Sequence, residues 1–173
     1  ENTLDAGYQV LELSSYQLEL PPSLCCEIAV ILNISPDHLD RHGGMDGYKA
    51  AKLKIMESLP ENAIAIIGVD DPESIGIAKW LIENEYKNLR VIPISGLIVP
   101  ENGVGVLNGN IVSNINRENE VVISLHDNTI LPGVHNWQNV AAGTAVALTL
   151  GISNNIIKNA ISSFPGLPHR QEL

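Results

Sequence analysis

Strand-like and helix-like segments alternate along the first half of this 173-residue chain, and this alternation restricts the fold more than any other feature. Residues 27–33, 63–68 and 90–94 are short apolar runs rich in β-branched side chains, which is typical of strands buried on both faces. Residues 45–59 and 72–84 lie between them and have the apolar periodicity of helices. Strands that alternate with helices form parallel sheets, because each helix returns the chain to the start of the next strand. The predicted fold class is therefore α/β, with a mostly parallel sheet flanked by helices.

The pattern changes after residue 103, where the apolar segments become shorter and are separated by turn residues. Residues 104–112 predict a β-hairpin, because Asn108-Gly109 is a favoured two-residue turn between antiparallel strands. Residues 120–125 would add another strand, so we expect a small additional antiparallel or mixed part of the sheet. Two helices are predicted to follow, over 136–150 and 154–163.

The charge balance argues against one large class of function. The chain has 10 Lys and Arg residues against 20 Asp and Glu residues, which gives a formal net charge of -10. Proteins that bind nucleic acid usually carry a basic face, so we expect no nucleic-acid partner. Hydrophobic residues make up 45% of the chain, which is enough for a sizeable core. One compact domain is the default for this length, and we also expect a monomer. No apolar run reaches the roughly 18 residues of a membrane-spanning helix, so we expect a cytoplasmic protein without a membrane partner.

Polar side chains follow the first two predicted strands. Residues 8–13 predict a strand that ends at Glu12, and residues 37–42 follow the strand predicted over 27–33. The carboxyl ends of parallel strands lie at one edge of a sheet, where ligands of such folds bind. Glu12 could bind a ligand there, or it could reach solvent or cap the two serines that follow it. The carboxylates and imidazoles of residues 37–42 could hold Mg²⁺ or Zn²⁺, or they could satisfy one another within a loop.

Lys52 lies within the apolar stripe of the helix predicted over 45–59. The apolar residues at helical spacing around it are Met45, Tyr48, Ile55, Met56 and Leu59. A lysine is rarely buried without a partner. Either its amine extends past the apolar surface into solvent, or it is held as a neutral amine that can act as a nucleophile or accept a modification.

Asn136 and Asn139 are spaced by three residues at the start of the helix predicted over 136–150, so they project from the same side of its first turn. Their amides could recognise the hydrogen-bonding edge of a base. Alternatively, Asn136 is only an N-cap, which would leave Asn139 without a role. Near the end of the sequence, Arg170 follows a rigid Gly-Leu-Pro segment and could bind a phosphate, or it could be an ordinary surface arginine.

Five segments, in this order, resemble the Mur ligases of peptidoglycan synthesis. They are Glu12-Leu-Ser-Ser-Tyr-Gln-Leu-Glu19, Asn33-Ile-Ser-Pro-Asp-His-Leu-Asp-Arg41, Tyr48-Lys-Ala-Ala-Lys-Leu-Lys54, Leu131-Pro-Gly-Val-His-Asn-Trp-Gln-Asn139 and Gly166-Leu-Pro-His-Arg170. The first and last are most similar to the family member that adds D-glutamate. The resemblance covers nearly the whole chain and implies the central ATP-binding domain of a three-domain ligase. In that family, ATP phosphorylates the carboxylate of UDP-N-acetylmuramoyl-L-alanine, and the amine of D-glutamate attacks the acyl phosphate.

The resemblance also implies roles for individual residues. Glu12 would bind the Mg²⁺ between the ATP phosphates, and the expected catalytic residues His38 and Lys52 would serve a second Mg²⁺. Lys52 would do so as a carbamate, because its oxygens suit this hard cation better than an amine does. The other implied roles are adenine binding by Asn136 and Asn139, phosphate binding by Arg170, and lining of the muramoyl pocket by Ser14 and Gln17.

The chain departs from the family pattern in one respect. The phosphate-binding loop of the family has the form Gly-x-x-x-x-Gly-Lys-Ser/Thr, and no Gly-Lys pair occurs in the sequence. We therefore expect that loop and the UDP-binding domain to lie upstream of Glu1, and the D-glutamate-binding domain to follow Leu173. Residues 1–173 would then be an inactive fragment of the central domain when they stand alone, because nothing else in them cradles the ATP phosphates.

Another member of the Mur ligase family is one alternative, because the amino-acid pocket lies mostly outside this segment. Two other interpretations also remain open on the sequence. A metal-dependent hydrolase would use Glu12 together with Asp37, His38, Asp40 and His42, and it would hold Zn²⁺ or two metal ions without a nucleotide. It would leave the asparagine pair and the arginine near the end without a role. The other interpretation is a folded binding module without catalysis.

Overall fold

The computed structural model describes residues 7–20, 24–125, 131 and 133–166. The chain divides into two compact units. The smaller unit comprises residues 1–25 and 36–58, and the larger unit comprises residues 26–35 and 59–173. Within the described residues, no helix is both long enough and apolar enough to cross a membrane.

The described elements include strands that alternate with helices, as the sequence predicts. The helices are α1 (Ser15–Glu19), α2 (Leu39–His42), α3 (Met45–Leu53), α4 (Pro72–Glu83), α5 (Val134–Thr149) and α6 (Asn154–Ser163), with 3₁₀ turns at Lys54–Ser58 and Tyr86–Asn88. The strands are β1 (Ile28–Ile31), β2 (Ile64–Gly68), β3 (Arg90–Ile94), β4 (Val104–Leu107), β5 (Asn110–Ser113) and β6 (Glu120–Ser124).

The strands of the described residues form one six-stranded sheet, which lies in the larger unit and follows the order of the sequence. Neighbouring strands from β1 to β4 are parallel, whereas β4 and β6 each run antiparallel to β5. In β2, consecutive residues Ala65, Ile66 and Ile67 are completely buried, as expected for a strand that is covered on both faces. The predicted fold class, a mostly parallel α/β sheet with a small antiparallel part, is confirmed.

Helices α4 and α5 pack on the parallel strands of the larger unit. α5 lies against β2, β3, β4 and β5, and its Val140, Ala141 and Ala145 join a buried cluster with Ile66 and Ile94. α4 packs against β2 and β3 and buries a different set of apolar side chains. α6 packs against α5 and β6. The start of α5 therefore lies beside the ends of the central strands, where α/β folds bind their ligands.

Local patterns predicted several element boundaries well. β3 and α6 begin and end at the predicted residues. The hairpin turns at Asn108-Gly109, where φ is 47° and 67°, as a two-residue turn with left-handed residues requires. The helix predicted over 45–59 is α-helical only to Leu53 and then tightens into a 3₁₀ turn.

The strand predicted over residues 8–13 is wrong. This segment forms no strand and pairs with none of the strands in the described part of the chain. Its Val10 is 92% exposed. A strand needs a neighbour that accepts and donates its backbone hydrogen bonds, and an alternating apolar pattern alone does not supply that neighbour.

Candidate functional site

A short helix that the sequence analysis did not predict holds the first site residues. Ser14 is the N-cap of α1 and forms a capping box with Gln17. The amide and hydroxyl of Ser14 donate to Oε1 of Gln17 at 2.8 and 2.9 Å, and the amide of Gln17 donates to Oγ of Ser14 at 3.3 Å. The two residues expected to line a substrate pocket are therefore in contact, at the exposed start of a helix. The Ser-x-x-Gln spacing is the signal that could have predicted α1.

His38 belongs to a group of four rings in the smaller unit, which we call the ring cluster: Tyr16, His38, His42 and Tyr48. The ring centroids are 5.2 Å apart for Tyr16 and His38, 5.6 Å for Tyr16 and His42, and 5.5 Å for His42 and Tyr48. The His38 side chain is 53% exposed, and its Nε2 lies 3.4 Å from the carboxylate of Asp37. The imidazole of His38 is thus reachable from solvent at the surface of the ring cluster.

His42 is the buried imidazole of the ring cluster, and its side chain is only 1% exposed. Its Nδ1 lies 3.0 Å from Oε1 of Glu19, and its Nε2 lies 3.0 Å from Oγ of Ser15. Both ring nitrogens are therefore engaged, which leaves neither of them for a metal ion. The hydrolase interpretation, which counted on His42 as a ligand, is not supported. Among the described residues, no three His, Cys, Asp or Glu side chains are placed to hold a metal ion together.

Lys52 lies in the last turn of α3, one turn after Tyr48. Lys52 is half-buried, and its Nζ lies 5.8 Å from the centroid of the Tyr48 ring, which is within the range of a cation–π contact. Burial of Tyr48, and then the negative charge of Asp37, raise the pKa of its phenol above the ordinary value. The apolar stripe predicted around Lys52 is present only in part, because the α-helix ends at Leu53 and Ile55, Met56 and Leu59 lie in or after the 3₁₀ turn. Lys52 is therefore covered only in part.

The ring cluster connects two of the three residues predicted for the metal site. His38 is one of its members, and the amine of Lys52 lies against another. Glu12 lies before α1, outside any helix or strand, and is exposed. Because no strand carries Glu12, the argument that placed it at the end of a strand is wrong, and its expected role rests on the family resemblance.

Asn136 and Asn139 line a cavity in the larger unit. α5 begins at Val134 with Gly133 as its N-cap, so the interpretation of Asn136 as the N-cap is wrong. Both asparagines lie along one cavity of about 490 Å³ between α5 and α6. Its apolar walls include Leu131, Val140, Ile152, Ile157, Ile161 and Phe164. An apolar space with a few polar groups suits a planar base, because the faces of a base are apolar and its edge carries donors and acceptors.

The sequence analysis missed one polar residue in this cavity. Thr144 lines it, is 1% exposed, and has a hydroxyl without a hydrogen-bond partner in the described structure. A buried hydroxyl without a partner costs free energy. Its spacing from Val140 and Asn136 by one and two turns of helix is the signal that could have identified it.

The predicted phosphate-binding residue Arg170 lies outside the described residues. Its role therefore stays a prediction.

Known proteins resemble this chain along almost its whole length. The model of the Mur ligase middle domain matches residues 2–147. The chain belongs to the Mur ligase family. This Mur ligase chain is 49% identical over 167 residues to the UDP-N-acetylmuramoylalanine--D-glutamate ligase of Rhodospirillum rubrum. The aligned region covers 96% of this chain and 35% of that protein. It is 44% identical over 163 residues to the protein of the same name from Phenylobacterium zucineum, covering 94% of the chain and 34% of that protein. The Mur ligase chain thus spans about a third of the length of these curated relatives.

Solved structures of Mur ligases share this fold. One of them is the UDP-N-acetylmuramoylalanyl-D-glutamyl-2,6-diaminopimelate--D-alanyl-D-alanyl ligase from Acinetobacter baumannii. Its TM-score with this chain is 0.58 at 24% identity, and the superposition covers 91% of this chain and 32% of that one. A second crystal structure, of MurF from the same organism, gives a TM-score of 0.56 at 26% identity, covering 88% and 31% of the two chains. The family resemblance and the α/β fold inferred from the sequence are both confirmed.

Proposed function

We propose that the protein containing this chain is an ATP-dependent ligase that joins D-glutamate to UDP-N-acetylmuramoyl-L-alanine. In this reaction the γ-phosphate of ATP passes to the free carboxylate of the alanyl group and ADP leaves. The amine of D-glutamate then attacks the acyl phosphate, forms the amide and displaces phosphate. The two relatives named above support the choice of D-glutamate, since both carry it in their names. The structural observation that carries the proposal is the cavity between α5 and α6 that Asn136 and Asn139 line.

In this proposal the cavity receives the adenine ring of ATP. The side-chain amides of Asn136 and Asn139 bind the edge of the base, and the apolar walls contact its faces. Arg170 contributes a guanidinium to the phosphates, as the family resemblance implies.

The smaller unit supplies the residues for the acceptor substrate. Ser14 and Gln17 present a hydroxyl and an amide at the exposed start of α1. In this proposal they line the muramoyl pocket, as the family resemblance implies. Their mutual hydrogen bonds hold both side chains in one arrangement before substrate binds. This preorganisation lowers the conformational entropy that binding costs.

The donors in the smaller unit fit Mg²⁺ if Lys52 is carbamylated. Glu12 offers an exposed carboxylate, and His38 offers an imidazole at the surface of the ring cluster. An unmodified lysine would repel a cation, whereas a carbamate provides the oxygen ligand that Mg²⁺ prefers. When bound, Mg²⁺ neutralises the charge of the ATP phosphates. We propose that Glu12 serves one ion and that His38 and Lys52 serve a second.

An ADP-release assay of the protein from the complete reading frame tests this function. We expect ADP release only when UDP-N-acetylmuramoyl-L-alanine and D-glutamate are both present, together with an equal amount of amide product in the mass spectrum. Omitting each substrate in turn provides the controls. ADP release that does not depend on D-glutamate, or that is supported better by another amino acid, would contradict the proposal.

A further inference from the structure

The carboxylate of Asp70, which follows β2, joins three elements of the larger unit. Its Oδ1 accepts a hydrogen bond from the hydroxyl of Ser95. Its Oδ2 accepts from the backbone amide of Gly96 at 2.7 Å and from the side-chain amide of Gln138 at 3.0 Å. Ser95 and Gly96 follow β3, and Gln138 lies near the start of α5. One carboxylate thus connects the ends of β2 and β3 with the beginning of α5.

The hydroxyl of Ser95 extends this connection into the next loop. Ser95 is completely buried, and its Oγ accepts hydrogen bonds from the amides of Leu97 and Ile98, each at 3.0 Å, while it donates to Asp70. A hydroxyl has one proton and two acceptor positions, so all of its hydrogen-bonding capacity is used. The loop after β3 is therefore attached to Asp70 through the hydroxyl of Ser95 as well as through the amide of Gly96.

Two glycines allow the strand ends to contact α5 directly. A Cβ atom at Gly96 would collide with the carbonyl oxygen of Val134, in the first turn of α5. A Cβ atom at Gly68, the last residue of β2, would collide with the carbonyl oxygen of Leu32 and would lie 2.9 Å from Nε2 of Gln138. Gln138 is 5% exposed, and the missing side chain at Gly68 leaves room for its amide. The position of α5 on the strand ends is therefore closely defined by contact as well as by hydrogen bonds.

The direction of Gln138 relates this contact to the cavity. Successive residues of a helix are rotated by about 100°, so Gln138 points about 160° away from Asn136 and about 100° away from Asn139. Gln138 therefore anchors one side of α5, while different sides carry the two asparagines that line the cavity. A rotation of α5 about its axis would move both amides relative to a bound base.

We propose that Asp70 is a positioning residue for nucleotide recognition. Through Gln138 and the loop after β3, it sets the rotation of α5 and with it the geometry in which Asn136 and Asn139 meet the base. Asp70 itself does not line the cavity. This inference rests on the adenine role proposed above for the two asparagines.

The test is base discrimination by the complete protein, measured as the ratio of kcat/KM for ATP to kcat/KM for GTP. Asp70→Asn removes the charge and places an amide where donors converge, whereas Gln138→Leu removes the donor with little change in volume. We expect each variant to lower the ATP preference at least fivefold. The double variant should lose no more than the more severe single variant, because both act through one contact.

Asp71→Asn is the matched control for general damage. The carboxylate of Asp71 caps α4 by accepting from the amide of Ser74 at 2.9 Å, and it also accepts from the amide of Ile34 at 3.4 Å. The Asp71→Asn variant should have a lower thermal unfolding midpoint but an unchanged ATP preference. If Asp70→Asn and Gln138→Leu reduce kcat/KM equally for both nucleotides, Asp70 has only a structural role and the inference is overturned.

Asn139→Ala separates this inference from the proposed function, with exposed Asn159→Ala in α6 as its control. If Asn139→Ala lowers the ATP preference and neither Asp70→Asn nor Gln138→Leu does so, the adenine site stands and the positioning role is wrong. If Asn139→Ala leaves the preference unchanged, the adenine site itself is wrong, and the role of Asp70 falls with it.

Discussion

His42 and Lys52, two basic side chains in the smaller unit, have different surroundings and therefore different uses. The imidazole of His42 is buried, and both of its nitrogens have partners. Lys52 is half-buried, and its amine lies 5.8 Å from the centroid of the Tyr48 ring. A buried side chain whose polar atoms are all engaged contributes to stability, whereas a lysine that is only partly covered can react and bind.

We expect Lys52→Ala in the complete protein to lower kcat by about 100-fold or more, because it removes a proposed ligand of the second Mg²⁺. The thermal unfolding midpoint should change little, since the side chain is only half-buried. Steady-state ADP release and thermal unfolding measure the two effects. A short-chain carboxylate should restore part of the activity, because it can replace the oxygen ligand, whereas excess bicarbonate should not.

The control for this variant is Lys79→Ala, which removes an exposed lysine from α4. It should retain the activity of the unmodified protein. Full activity of Lys52→Ala without any additive would show that Lys52 is an ordinary surface-reaching lysine and would remove it from the site.

We expect His42→Ala to lower the free energy of unfolding by about 2–3 kcal/mol, because it leaves the buried hydroxyl of Ser15 unpaired and opens a gap between Tyr16 and Tyr48. Arg41→Ala is a matched comparison, since Arg41 contacts the same Glu19 at 3.4 Å but is 59% exposed. It should cost less than about 1 kcal/mol. Urea unfolding measures the loss of unfolding free energy in each variant. Equal losses in His42→Ala and Arg41→Ala would contradict the role assigned to the burial of His42.

Among the elements, the β4–β5 hairpin depends most on local conformation. Its turn residues Asn108 and Gly109 both have positive φ, and the strands on either side pair in antiparallel register. In contrast, the start of α5 depends on distant parts of the chain, because Asp70 and Gly96 hold it in place. Substitutions in these two elements should therefore act by different mechanisms.

Gly109→Ala should lower the free energy of unfolding by about 1 kcal/mol, because φ at this position is 67° and alanine is strained there. Gly76→Ala in α4 is the opposite case. Its φ is not positive, and an added Cβ meets nothing within 4 Å. That substitution should stabilise the protein by about 0.5–1 kcal/mol, since alanine is the better helix former. Urea unfolding of the two variants should give changes of opposite sign, and the same sign for both would contradict this account.

For the molecule as a whole, the sequence contains the proposed groups for base and metal binding but no Gly-Lys pair that could hold the ATP phosphates. We expect residues 1–173 expressed alone to release no ADP above the background of their Lys52→Ala variant. The protein from the complete reading frame should turn over under the same conditions. Robust turnover by residues 1–173 would show that the phosphates are bound without that loop and would overturn the expectation.

The parts of the structure that depend on neighbouring residues could be predicted from the sequence. β3, α6 and the Asn108-Gly109 hairpin follow from residue type and spacing over a few positions. The family and its motifs could also be recognised, since the order of residues carries them. The prediction of a strand at 8–13 was wrong because a strand depends on more than its own residues. It exists only where a partner strand lies beside it.

The contacts that organise the candidate site join residues far apart in the sequence. Ser15 and His42 are 27 residues apart, and Asp70 and Gln138 are 68 residues apart. No local pattern predicts such pairs, because each forms only when the packing of several elements brings two side chains within hydrogen-bond distance. The packing of these elements also buries the side chain of His42 and leaves Lys52 half-buried. The residue types available for the chemistry follow from the sequence, whereas their partners and their exposure to solvent follow from the tertiary fold.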